Sequence, residues 1–92
     1  MDIVYSFEYL EEVVKNDISQ IPQNIRNIIK RAIEERLGVD PFSFGKPLRY
    51  SWNGHKSLRV GDYRIIYRIK EEEKIVLIVA IKHRKEAYIT KN

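Results

Sequence analysis

The sequence predicts an α+β fold over residues 1–92: an N-terminal strand, then a two-helix hairpin packed on one face of a mainly antiparallel sheet of four to five strands. Three observations carry that expectation. Two runs of alternating apolar and polar residues flank Gly61-Asp62. Apolar stripes of helical period occupy residues 7–37. The run Ile75 to Ile81 is apolar on both faces and has the length of an interior strand.

Taken in order, Asp2 to Ser6 is a strand candidate, because Ile3, Val4 and Tyr5 favour extended chain. Ser6 suits an N-cap. Phe7, Leu10, Val13 and Val14 then form a helical stripe opposite Glu8, Glu11, Glu12 and Lys15, and Asn16-Asp17 ends it. A second helix starts near Pro22, which suits a first turn. Ile25, Ile28, Ile29, Ala32, Ile33 and Leu37 give it an apolar face, and Gly38 suits its C-terminal cap. Val39 to Pro47 is turn-rich. Leu48 to Trp52 reads as a strand and Asn53-Gly54 as a hairpin turn. Glu71-Glu72-Glu73 is a polar turn before the apolar strand, and Lys82 to Tyr88 is a basic, aromatic tail.

The central hairpin is the most informative stretch. A two-residue turn at Gly61-Asp62 pairs Val60 with Tyr63, Leu58 with Ile65 and Lys56 with Tyr67 on one face. The other face pairs Arg59 with Arg64, Ser57 with Ile66 and His55 with Arg68. Like charges directly opposite each other destabilise a strand pair. Folding therefore gains nothing from Arg59 and Arg64, whereas an anion on that face gains from both. Cations on a strand face also discourage edge-to-edge aggregation.

Composition narrows the partners. Residues 1–40 carry five basic and eight acidic side chains, a balance of −3, and residues 41–92 carry twelve and five, a balance of +7. A basic sheet half suits a polyanionic partner, nucleic acid or an acidic protein segment. With no cysteine, no disulfide or thiolate metal site can form, and the composition suits a reducing cytoplasm. No apolar run spans a bilayer and the first residues lack a signal-peptide pattern, so a soluble cytoplasmic protein away from membranes is expected. There is no phosphate-binding glycine loop and no dinucleotide motif, and two histidines are too few for a histidine metal site, so neither metal nor cofactor is expected. The residues that remain, Lys, Arg, His and Tyr, suffice to cleave RNA. The nucleophile is the substrate's own 2′-hydroxyl, and the protein must position the backbone, stabilise phosphoryl charge and move protons.

Leu58-Arg59-Val60-Gly61-Asp62-Tyr63-Arg64-Ile65-Ile66-Tyr67-Arg68-Ile69 resembles the core signature of the RelE/ParE toxin superfamily. Ile81-Lys82-His83-Arg84-Lys85-Glu86-Ala87-Tyr88 resembles its C-terminal segment, and the resemblance covers nearly the whole chain. It implies a RelE-like fold and the toxin of a type II toxin–antitoxin pair, bound in a hetero-oligomer by a cognate acidic antitoxin. RelE-like members are endoribonucleases that cleave mRNA in the ribosomal A site; ParE-like members poison DNA gyrase without nuclease activity. On the RelE reading, the resemblance implies catalytic roles for Arg64 at the phosphate, Arg84 as the C-terminal arginine (His83 is the alternative alignment) and Tyr88 as the C-terminal tyrosine. His55 and Ser57 stand where the best-known RelE branch carries two lysines. Either His55 takes over as acid–base group or that part of the site is lost. Lys56, Arg59, Arg68 and His83 are the expected RNA contacts.

Overall fold

Alternating side chains around Gly61 set the sheet. The computed structural model of the chain describes residues 4–85. Five strands, β1 (Ser6–Tyr9), β2 (Lys46–Pro47), β3 (Lys56–Val60), β4 (Tyr63–Lys70) and β5 (Ile75–His83), form one open sheet in the order β1-β5-β4-β3-β2. Neighbours are antiparallel except β1, which runs parallel to β5. The β3–β4 register is the expected one, with Val60 opposite Tyr63, Leu58 opposite Ile65 and Arg59 opposite Arg64. Gly61 takes the left-handed φ of 59° that the turn requires.

The helices cover one face. Residues 11–20 are helical, passing through a π turn at Val13–Asp17 and a 3-10 turn at Ile18–Gln20. Helix α1 (Gln23–Ala32) runs on into a second π turn, Ile33–Leu37. From these segments Val13, Ile29, Ile33 and Leu37 meet Leu58, Ile65 and Ile81, a row that crosses β3, β4 and β5 in the core. A short helix α2 (Pro41–Phe44) follows. The Asp40 carboxylate caps it by accepting the Ser43 N–H at 3.2 Å, and Pro41 fills its first turn.

Tyr67 ties β4 to α2. Its ring is fully buried, and its hydroxyl donates to the Pro41 carbonyl at 2.7 Å across 26 positions of sequence. Burial, aided by the Asp40 charge and opposed by a backbone contact from Gly45, pushes that hydroxyl up to about 12. Gly45 lies so close that a Cβ there would overlap the Tyr67 hydroxyl.

Two irregularities shape β5. Its register with β4 slips between Ile66, opposite Ala80, and Tyr67, opposite Ile78, so Val79 is the extra residue. The pairing with β1 ends at Ile78. Past that point Asp17 takes over the open edge, accepting the Ile81 N–H at 2.9 Å and the Lys82 ammonium at 3.1 Å.

Three elements differ from expectation. The first strand is Ser6–Tyr9 rather than Asp2 to Ser6, whose first residues lie outside those described, and Phe7 belongs to it and not to a helix. Phe7 and Tyr9 alternate toward the core opposite Val76 and Ile78, and this long-range pairing outweighs their helical spacing. The strand expected at Leu48 to Trp52 does not form, because Tyr50 adopts a φ of 59° and starts a 3-10 turn; the chain pairs with β3 just before it, at Lys46–Pro47. Lys82 and His83 extend β5 instead of opening the tail. Among the described residues, no helix is long and apolar enough to cross a membrane.

Candidate nucleic-acid interface

The sheet face turned away from the helices carries the charge. Arg59 and Arg64 are direct cross-strand partners and both are exposed. Lys82 continues their row on β5, but Asp17 neutralises it. In the adjacent row, Ile66 and Ala80 are buried and apolar, and Ser57 opposite Ile66 is half-buried. Arg68, two positions beyond Ile66 on the same face of β4, is exposed opposite Leu77.

At the margin of β3 this face meets the Ile33–Leu37 turn and α2, and the junction is a cleft of about 520 Å³. It is lined by Arg36, Phe44, Lys46, Ser57, Leu58, Arg59 and Arg64. Among the described residues, none of Arg36, Lys46 or Arg64 forms an ion pair. The Arg59 side chain only reaches the Gly61 carbonyl, at 3.4 Å. Four cations around one cleft repel each other, and a phosphodiester lying between them would satisfy several at once through charge-assisted hydrogen bonds.

The expected site residues divide. Arg59 and Arg64 line the cleft together, and Arg68 lies beyond them on the same face. His55 does not line it. Its ring stands edge-on to Trp52, centroids 5.3 Å apart, with Nδ1 buried and unpartnered. Lys56 lies on the helix face opposite Tyr67. There its charge is felt by Asp40, whose carboxyl is held below its ordinary value first by the Ser43 hydrogen bond and least by Lys56. The register slip sits between β4 and β5, so nothing turns Lys56 toward the arginines. Arg84 is drawn to the hairpin turn: its N–H donates to the Asp62 carbonyl at 2.7 Å and its guanidinium lies 3.7 Å from the Asp62 carboxylate. His83 packs edge-on against Tyr63 at 5.1 Å on the helix face, and its Nδ1 accepts the Lys85 N–H at 3.2 Å. Tyr88 lies outside the described residues.

Arg36, Phe44 and Lys46 are the cleft residues that the sequence alone did not single out. One signal was available. Pro41-Phe42-Ser43-Phe44-Gly45 places two aromatic rings in an otherwise turn-forming connection, and only Phe42 finds a ring partner among the described residues, Tyr5 at 6.5 Å.

Comparison with known proteins agrees with this architecture. Residues 9–88 match the family described as ParE toxin of type II toxin-antitoxin system, parDE. The chain is similar to toxin RelG of Mycobacterium tuberculosis, at 34% identity over 74 residues, covering 80% of this chain and 85% of that protein. It is similar to toxin RelE of the same organism, at 33% identity over 72 residues, covering 78% and 74%. Its structure is similar to a chain in the crystal structure of the toxin–antitoxin complex RelBE2 from Mycobacterium tuberculosis, with a TM-score of 0.82 and 30% identity over 91% of this chain and 95% of that one. A shared fold, a shared sequence and a family match over nearly the whole length place this chain in the RelE/ParE superfamily of type II toxin–antitoxin toxins.

Proposed function

We propose that the chain is an endoribonuclease toxin that cuts mRNA in the ribosomal A site and so stops translation in the cytoplasm. The observation that supports this reading is the exposed Arg59–Arg64 pair lining a cationic cleft. In the reaction the 2′-hydroxyl attacks the adjacent phosphorus. The new O2′–P bond replaces the P–O5′ bond and leaves a cyclic phosphate and a 5′-hydroxyl end. Arg64 grips the non-bridging oxygens as their charge grows, and Arg59 holds the neighbouring backbone. Arg84 is positioned to join them, because its exposed pair with Asp62 at 3.7 Å holds it by only ~0–1 kcal/mol. His55 serves as acid–base group by swinging away from Trp52, which frees its unpartnered Nδ1. Tyr88 is the other proton-transfer candidate.

The partner in this reading is a cognate antitoxin, acidic enough to cover the basic face and forming a hetero-oligomer with the toxin. The similar structure from Mycobacterium tuberculosis is itself a toxin–antitoxin complex. A second reading, inhibition of DNA gyrase without RNA cleavage, is favoured by the ParE description of the matched family.

Induction of the chain in cells lacking the antitoxin, with mapping of mRNA 5′ ends, separates the two. Codon-aligned cuts that vanish with Arg64→Ala support the nuclease. Growth arrest with DNA damage and intact messages overturns it in favour of gyrase.

A further inference from the structure

The arginine pair accounts for only part of the cleft. The rest of its lining comes from the turn after α1 (Arg36), from α2 (Phe44) and from β2 (Lys46). We propose that this part of the lining is a nucleotide subsite, in which Phe44 stacks on an unpaired base and Arg36 and Lys46 take the flanking phosphate. This rests on the reading of the chain as a nuclease and extends it to the nucleotide beside the scissile bond.

Four observations carry the proposal. Phe44 is 49% exposed, and among the described residues it has no ring partner, unlike Phe42. Neither Arg36 nor Lys46 is used in an ion pair among those residues. The cleft, at about 520 Å³, is large enough for a nucleotide, since ligand pockets run ~300–1,000 Å³. Finally, one aromatic ring among cations is the arrangement that binds single strands, because stacking accepts any base while the cations follow the backbone. An acidic peptide would use the cations and have no need of the ring.

The test is binding of a 2′-O-methylated single-stranded hexanucleotide, which cannot be cleaved, to the full chain over a range of salt concentrations. Phe44→Leu keeps the apolar bulk and removes the aromatic face; it weakens binding about tenfold, and Phe44→Trp restores it. Arg36→Ala and Lys46→Ala each reduce the slope of log K against log salt by about 0.7, the value for one phosphate contact on a single strand. Circular dichroism of each variant confirms the fold, which these exposed positions do not support. If Phe44→Leu binds as the parent does, or if a polyglutamate peptide binds equally well and is indifferent to residue 44, the subsite is refuted and this lining belongs to an acidic protein segment. The nuclease reading is judged separately by Arg64→Ala in mRNA cleavage. Cleavage lost with Arg64→Ala but untouched by Phe44→Leu, Arg36→Ala and Lys46→Ala would overturn only the subsite.

Discussion

The Asp17 carboxylate accepts the Ile81 N–H at 2.9 Å, at the point where β5 has lost β1 as a neighbour. A side chain thus finishes a sheet edge that the backbone leaves open, and the same carboxylate holds Lys82, which sits in the row of Arg59 and Arg64. Asp17→Ala leaves the Ile81 N–H unpaired and is expected to destabilise the fold by ~1–3 kcal/mol. Urea unfolding measures it, and a loss below 0.5 kcal/mol would mean that solvent replaces the carboxylate.

Arg59 and Arg64 repel each other across the hairpin. Arg59→Glu converts the clash into an attractive pair. The expected result is a fold more stable by ~0.2–1 kcal/mol and a toxin that arrests growth less well. Thermal unfolding and a growth assay read the two quantities on one variant. Lower stability in the variant would show that the arginines are not in repulsive contact.

Gly45 and Tyr67 share a space with no room for a methyl group. Gly45→Ala is expected to cost ~1–3 kcal/mol by overpacking. Adding Tyr67→Phe removes the hydroxyl but leaves the ring, so rescue in the double variant is partial and the two effects are not additive. A double-mutant cycle in denaturant checks this; strict additivity would exclude the contact.

The fold is squeezed from both ends of the pH scale. The Tyr67 hydroxyl ordinarily titrates at 10.0 and is pushed up to about 12, so the folded state favours its neutral form. Its contribution is complete below pH 10.0 and fades as pH rises toward 12. Asp40 is the opposite case. Its carboxyl lies below the ordinary 3.8, so its cap on α2 is complete above that value and is lost as pH falls through the lowered one. Tm measured against pH is expected to fall at both extremes, and the stability difference between the parent and Tyr67→Phe shrinks above pH 10.0.

The hairpin was legible because its turn and its alternation agree, and once Gly61 is placed each pair from Val60–Tyr63 to Lys56–Tyr67 follows. The helical stripe from Ile25 to Leu37 was legible for the same reason, period and capping pointing one way. The ends of the sheet were not. Phe7 fits both a helix stripe and a strand, and only β5, far along the chain, decides between them. The charged face could be read from Arg59 and Arg64, whose pairing lies within one hairpin. The rest of the cleft could not, because Arg36 and Phe44 reach it through the tertiary placement of α1 and α2. His55 illustrates the same limit: its place beside β3 could be inferred, but not its edge-on contact with the ring of Trp52.

The parallel pairing of β1 with β5 also orders events in time. Ser6 pairs with Ile75, so the loop closed between them contains most of the described chain, and such long-range pairing slows folding. β5 is synthesised after every other described strand, and it carries both Ile81 of the core row and Lys82 of the charged row. While the chain is growing, the helices have no finished sheet to cover and the β3–β4 hairpin lacks its inner neighbour. The arginine face therefore gains its inner neighbour only once synthesis has passed His83.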